Sequence, residues 1–121
     1  MIDDPGPGFA APSEQDLADV SAIEVIVTLA VHLMTAAAVQ LGLGDPGADG
    51  EVQPADLDEA RLLITALAGL VTAVAPEIGS QHAAPLHEGL RTLQLAFRQA
   101  SAVPDPPGEA PGEKLTGPVL P

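Results

Sequence analysis

The stretch that decides the fold is VIVTLAVHLMTAAAVQLGL, residues 25–43, nineteen residues without a charged side chain. It belongs to a chain of 121 residues with a formal net charge of -13. Such an apolar run must be shielded from water by a bilayer, by the rest of the chain or by a second copy. Its length and its Ala-rich second half favour a helix over the strand that the β-branched residues 23–28 alone would allow.

A membrane-spanning helix is the first alternative, because nineteen uncharged residues reach the required length. The stretch contains His32 and Gln40, however, and polar or ionisable groups are costly near a bilayer centre. No Lys or Arg precedes Arg61, and the chain has no Trp or Tyr to anchor a span at the membrane interface. We therefore expect a helix that protein surfaces bury on nearly all sides, and no membrane partner.

Proline and glycine mark both ends of the chain. Residues 1–12 hold three Pro and two Gly, and residues 103–121 hold six Pro and three Gly. Such segments bury little apolar surface and tend to stay disordered. The predicted organisation is a disordered N-terminal segment at 1–12, a helical domain at 13–102 and a disordered Pro/Gly-rich tail at 103–121. As an alternative, the mixed apolar and polar residues 112–119 dock on a partner or pack back across the bundle.

The remaining core is thin. Roughly 85 residues are left, which is marginal for a lone domain, and Phe9 and Phe97 are the only aromatic residues in the chain. Small scaffolds of this kind are often stabilised by oligomerisation. This favours a homo-oligomer.

The charge balance excludes several classes of protein. Seventeen acidic residues face four basic ones, whereas nucleic-acid binding needs Lys and Arg to neutralise phosphates. Anionic lipid surfaces are disfavoured for the same reason. The absence of Cys excludes disulfides and thiolate chemistry. The start MIDDP lacks the basic and apolar regions of a signal peptide, so we expect a cytoplasmic protein.

Apolar spacing and capping patterns predict three helices. The first begins at Ser13 or Ser21, each followed three residues later by an acidic residue, and ends by Leu41. A loop at 42–56, rich in Gly, Pro and Asp, follows.

The second helix runs from Asp56 to about Val74, because Pro76 disfavours helix in the residue before it. A short turn at 76–80 makes the third helix its antiparallel neighbour. This third helix starts at Gln81 or Pro85 and ends at Ala100. Apolar residues at helical spacing predict a buried stripe on this helix, formed by Leu86, Leu90, Leu93 and Phe97. A second set with the same spacing predicts a solvent-facing stripe beside it, formed by His87, Arg91, Gln94 and Arg98. The fold class is therefore all-α, a helical hairpin or a three-helix bundle.

A polar seam runs along the first helix. Its members follow helical spacing and are Glu24, Thr28, His32 and Thr35, preceded by Ser21. Glu24 and His32 are about 12 Å apart along the axis at 1.5 Å per residue, so one metal ion cannot bind both on the same helix. A polar residue that fixes the register of an oligomer is the better-attested role. The alternative is a small pocket in which Glu24 and His32 meet His87 or Arg91.

No other pattern predicts a catalytic, cofactor or metal site. His82 and His87 are five residues apart and point about 140° apart around a helix, unlike the i, i+4 pair of a zinc helix. The glycines of residues 42–50 follow a helix rather than a strand, which excludes a dinucleotide-binding loop. We therefore predict no catalytic residues, no cofactor and no metal ligands.

Several segments together resemble the short bacterial proteins grouped as the domain of unknown function numbered 1844. The segments that carry the resemblance are Glu24–Ile26, Ala30–Val39, Leu41–Leu43, Asp58–Arg61, Leu67–Leu70, Gly89–Arg98 and Gly112–Lys114. In this family the tail carries a Trp where Leu115 stands here, which weakens any aromatic docking role of the tail. The resemblance covers about residues 21–119 and implies a helical fold, with no activity, cofactor or catalytic residue to carry over.

These observations predict a small, acidic, non-enzymatic protein that oligomerises or acts as an adaptor. The first helix would supply the surface for self-association, and the acidic loop and tail would contact a protein partner. The alternative is a helical bundle that binds a small molecule or a metal.

Overall fold

The computed structural model describes residues 20–44 and 54–120, which form three long helices and one short one. The helices are α1 (Ala22–Gln40), α2 (Leu57–Ile78), α3 (Ser80–Ala100) and α4 (Glu113–Thr116). Helix α2 packs against both α1 and α3, and α1 also contacts α3. The described ranges contain no strand. The all-α prediction is therefore confirmed, as a three-helix arrangement, and the strand alternative for residues 23–28 is wrong.

Helix α1 begins and ends where local capping allows. The Ser21 hydroxyl accepts a hydrogen bond from the Glu24 N–H at 3.2 Å, as the capping pattern predicts. The helix stops where Gly42 adopts a positive φ of 80°. The Asp56 N–H donates to the Gln40 carbonyl at 2.6 Å, which ties the start of α2 to the end of α1. The predicted segment 1–12, the Ser13 start and loop residues 45–53 lie outside the described residues.

Helices α2 and α3 are longer than predicted. Helix α2 continues through Pro76 to Ile78, and α3 begins at Ser80 with Pro85 inside it. The turn between them is the single residue Gly79, whose φ of 82° reverses the chain. Burial of Ile78 and Ala83 on either side of this turn stabilises the helical turns in which the two prolines lack an N–H donor.

The core contains the predicted stripe of α3. Helix α3 buries all four residues of its predicted stripe, and α2 buries Ile64, Leu67 and Val71. Helix α1 contributes mainly alanine: of its residues, only Ala30 and Ala37 are buried. Its larger side chains remain partly or largely exposed, and this has consequences for function.

Within the predicted tail the structure shows the alternative interpretation, in which residues 112–119 pack back across the bundle. Residues 101–120, here called the C-terminal segment, fold back over α2 and α3 and include α4. Ala110, Glu113 and Val119 are buried. Hydrogen bonds and ion pairs from side chains of the helices hold this segment, and its Pro and Gly content does not report these contacts.

Candidate functional site

The predicted polar seam lies on the outer face of α1, the side turned away from α2 and α3. Glu24, Thr28, His32 and Thr35 are all exposed. Four large aliphatic side chains are exposed on the same helix. Leu29 and Val31 are each 50% exposed, Val39 is 43% exposed and Val25 is 38% exposed. We define the outer face of α1 as the polar seam and these aliphatic residues. It is an apolar helix surface with a central line of hydroxyl and imidazole groups.

This exposure follows from how α1 packs. Ala30 and Ala37 have no exposed surface, and small side chains at a contact allow two helix axes to come close together. On α3, an added Cβ at Gly89 would come within 2.7 Å of the Met34 sulfur, so the absence of a side chain there admits Met34. Ala30 and Ala37 thus make the fully buried contacts of α1, with Ile23, Leu33 and Met34 packed beside them, while other large residues such as Leu29 and Val31 face outwards.

One end of the seam borders α3, because Thr35 lines an open depression of about 480 Å³ together with Glu88 and Thr92. Thr28, His32 and Thr35 line an open depression of about 470 Å³ on α1 together with Val27, Val31 and Ala36. His87 and Arg91 line a different depression of about 210 Å³, beside Thr116 of the C-terminal segment. The depression lined by His32 and the one lined by His87 and Arg91 share no residue. Helix α1 contacts α3 through Met34 and Gly89.

The described part of the chain contains no cluster of side chains suited to bind a metal ion. Across residues 20–44 and 54–120, no three His, Cys, Asp or Glu side chains lie close enough to hold a metal ion. The depression on α1 offers one imidazole and two hydroxyl groups among aliphatic side chains.

A second polar arrangement, which the sequence did not predict, lies under the C-terminal segment. The Arg98 guanidinium donates from Nε to Glu113 Oε2 and from Nη2 to Glu113 Oε1, both at 2.6 Å. The Glu113 side chain is completely buried, and that of Arg98 is 15% exposed. The Gly108 N–H also donates to Glu113 Oε1 at 2.9 Å. A buried carboxylate is thus satisfied by a bidentate partner and a backbone donor.

This geometry shifts the protonation equilibria of both groups. The hydrogen bonds from Arg98 lower the pKa of Glu113 against the opposing effect of burial, and the Gly108 N–H lowers it further. The same hydrogen bond raises the pKa of Arg98. Both groups therefore stay charged at neutral pH.

Gln94 holds the middle of the C-terminal segment. Its side-chain N–H group donates to the Pro111 carbonyl at 3.1 Å and to the Thr116 hydroxyl at 3.2 Å, and only 2% of Gln94 is exposed. The prediction that Gln94 and Arg98 face solvent is wrong, because the C-terminal segment covers them. His87 and Arg91 of the same predicted stripe are exposed, as expected.

All three arginines of the chain bind the C-terminal segment. Arg61 pairs with Asp105 at 2.9 Å and lies 5.0 Å from the centre of the Phe97 ring. Arg91 donates to the Leu120 carbonyl at 3.0 Å, and Arg98 binds Glu113 and the Asp105 carbonyl. We call Arg61, Arg91, Gln94 and Arg98 together the arginine surface. The sequence contained one signal for this surface: the chain has only three arginines and a large excess of carboxylates with which they can pair.

Two helices of the described residues are long and apolar enough to cross a bilayer. They are α1 and α2, and 11% and 28% of their most apolar windows are buried within the protein. Length and composition are the only criteria here, and core helices of soluble proteins or signal sequences meet them equally. The finding by itself indicates neither a membrane location nor its opposite.

Comparison with known proteins places the chain in one family. No match is found among curated proteins or among solved structures. A family model described as "Domain of unknown function (DUF1844)" matches residues 22–99, which run from the start of α1 to the penultimate residue of α3. The match covers well over half of the chain, and the protein therefore belongs to the DUF1844 family.

Proposed function

We propose that the protein is a non-enzymatic module that associates with a second copy of itself through the outer face of α1. The observation that carries the proposal is the half-exposure of Leu29 and Val31 within a helix that buries alanine. Leu29 and Val31 flank the polar seam on opposite sides, and the exposed Val25 and Val39 lie beside it. Aliphatic side chains therefore cover the outer half of α1 and form the kind of contiguous apolar surface that marks an interaction site.

The charge distribution supports a second copy as the partner. Residues 25–43 carry no charge, whereas the whole chain carries -13. Two copies repel each other wherever their acidic surfaces meet. The outer face of α1 is a long surface on which they can approach with little such repulsion.

The spacing on this face also suits helix pairing. Val25, Thr28, His32, Thr35 and Val39 are separated by three, four, three and four residues, which is the a/d spacing of a coiled coil. Polar residues at such positions specify register at some cost in stability. The polar seam would then set the alignment of two α1 helices, and the flanking aliphatic residues would supply the apolar contact.

The environment proposed for this module is the cytoplasm. The acidic, cysteine-free composition supports that location. Nucleic acid is an unsuitable partner because the three arginines are engaged with the C-terminal segment.

Analytical ultracentrifugation of the full chain tests the proposal. We expect a dimer or larger oligomer at micromolar concentration, and a monomer for Leu29→Glu, which places a charge on the outer face of α1. The matched control is Leu62→Glu on α2, where the side chain is 67% exposed, and this variant should associate like the wild type.

Two results would refute the proposal. The first is a folded wild-type monomer at high micromolar concentration. The second is equal association of the Leu29→Glu and wild-type chains. A third result would assign the same face to a membrane instead. In that case the wild-type chain does not self-associate but binds lipid vesicles, and Leu29→Glu abolishes this binding.

A further inference from the structure

The arginine surface has the composition of a peptide-binding site. The four basic residues of this acidic chain are Lys114 and the three arginines. Every arginine projects from α2 or α3 towards the C-terminal segment. The segment in turn brings three carboxylates, those of Asp105, Glu109 and Glu113. The charges of the two parts are therefore complementary.

The arginine surface binds both main-chain carbonyls and side chains of the C-terminal segment. Arg98 donates to the carbonyls of Asp105 and Pro106, Gln94 to that of Pro111 and Arg91 to that of Leu120. Side chains of α3 that bind carbonyls spread along the C-terminal segment resemble a receptor holding a peptide, with the Glu113 carboxylate as its anchor. Burial of Ala110 and Val119 adds a small apolar contribution.

The connection between α3 and the C-terminal segment is compatible with exchange of this segment between two copies of the chain. Helix α3 ends at Ala100, and the following Val103 is 86% exposed. The family match ends at residue 99, so the C-terminal segment follows the matched domain and docks on it. Segments joined to a domain by an exposed connector can exchange between copies.

We propose that the arginine surface is a binding site for an acidic, proline- and glycine-rich peptide, and that its occupant in trans is the C-terminal segment of a second copy. In the single chain the protein's own segment fills this site. The inference does not depend on the outer face of α1, which lies on another helix.

A labelled peptide of residues 101–120 tests the site directly. It is titrated into full-length protein carrying Glu113→Gln, which weakens the internal segment and leaves the arginine surface intact. We expect saturable binding, with wild-type protein binding at least about tenfold more weakly because its own segment competes at high effective concentration. A peptide that itself carries Glu113→Gln should bind at least about tenfold more weakly than the unmodified peptide, because it lacks the buried charge pair.

Equal binding of the two peptides, or no binding to the Glu113→Gln protein, would overturn the proposal. Gly112→Ala is the second acceptor protein, used if Glu113→Gln loses its helical circular dichroism. It strains the internal segment at a φ of 77° without altering any arginine.

Exchange between copies is tested by mixing two full-length charge-reversal variants, Arg98→Glu and Glu113→Arg, each also carrying Leu29→Glu. Either variant alone pairs like charges at the site. In the mixture, the Glu113 of one chain can meet the Arg98 of the other. Each variant alone should be monomeric. Dimers that form when the two variants are mixed support exchange, and the absence of such dimers overturns it. If self-association through α1 does not occur, the wild-type chain sediments as a monomer, whatever the mixing experiment shows. The two proposals can therefore be refuted independently.

Discussion

Gly112 is the residue on which the path of the C-terminal segment depends. Its φ is 77°, a conformation that side chains with a Cβ rarely adopt. A Cβ at this position would also lie 2.7 Å from the Cβ of Ala68. Both the backbone conformation and the close approach to α2 therefore require glycine.

We expect Gly112→Ala to release the C-terminal segment while the three long helices remain. The left-handed conformation alone costs about 1–2 kcal/mol, and the collision with Ala68 adds to it. Limited proteolysis at residues 101–120 measures the release. Gly108→Ala is the matched control, because Gly108 has a φ of 86° but nothing within 4 Å of an added Cβ. Equal proteolysis of the two variants would show that the contact with Ala68 is unimportant.

Glu113 makes the docking of this segment sensitive to acid. Its pKa is lower in the docked state because Arg98 and Gly108 donate hydrogen bonds to the carboxylate. A group with a depressed pKa stabilises the docked state fully above its ordinary value, about 4.3 for Glu. That stabilisation is lost as the pH falls through the depressed pKa.

We therefore predict that the segment undocks in acid while the helices persist. The measurement is the NMR amide signal of Gly108, which should move to the position of an unstructured residue below about pH 4. In Glu113→Gln the signal should not follow this titration. An identical transition in Glu113→Gln would assign the acid response to other carboxylates.

At the scale of the element, α1 shows how a helix can be apolar on nearly all sides and still expose half of its surface. Its fully buried residues are the alanines Ala30 and Ala37, and Ile23, Leu33 and Met34 are only partly buried against the core. Alanine has the highest helix propensity but buries little area, so α1 gains less from packing than its composition suggests.

We expect Ala30→Leu to destabilise the bundle, because a larger side chain would force α1 away from its neighbours. Overpacking of this kind costs about 1–3 kcal/mol, and chemical denaturation measures it. Ala66→Leu, at an exposed position on α2, should change the free energy of unfolding by less than about 0.5 kcal/mol. If Ala30→Leu were as stable as this control, α1 would be more loosely packed than its buried alanines indicate.

At the scale of the whole molecule, self-association must overcome the repulsion between two chains of charge -13. Raising the ionic strength from about 0.01 M to about 1 M shortens the Debye length from about 30 Å to about 3 Å. We predict that the proposed dimer becomes tighter over this range, as measured by the dissociation constant from sedimentation. Weaker association at high salt would indicate an interface built from ion pairs instead of the outer face of α1, which has Glu24 as its single charged residue.

Much of the fold was predictable because its determinants are local. The Ser21 and Asp56 caps act over three residues, and the apolar stripe of α3 repeats within single helical turns. The extension of α2 through Pro76 was missed because tertiary burial of Ile78 outweighs the local penalty of proline. The arginine surface was missed for a related reason: Gln94 and Arg98 have the residue types and spacing of a solvent-facing stripe.

From its sequence alone this protein is predicted to be helical, with Ser21 as one of two candidate starts of α1 and with the buried stripe of α3, because periodicity and capping are set by residues three or four positions apart. The burial of Ala30 and Ala37 and the docking of the proline-rich C-terminal segment became visible in the tertiary structure. The pairs that hold this segment, Arg98 with Glu113 and Arg61 with Asp105, are 15 and 44 residues apart along the chain. Their energy depends on geometry and burial that arise only once the three helices have assembled.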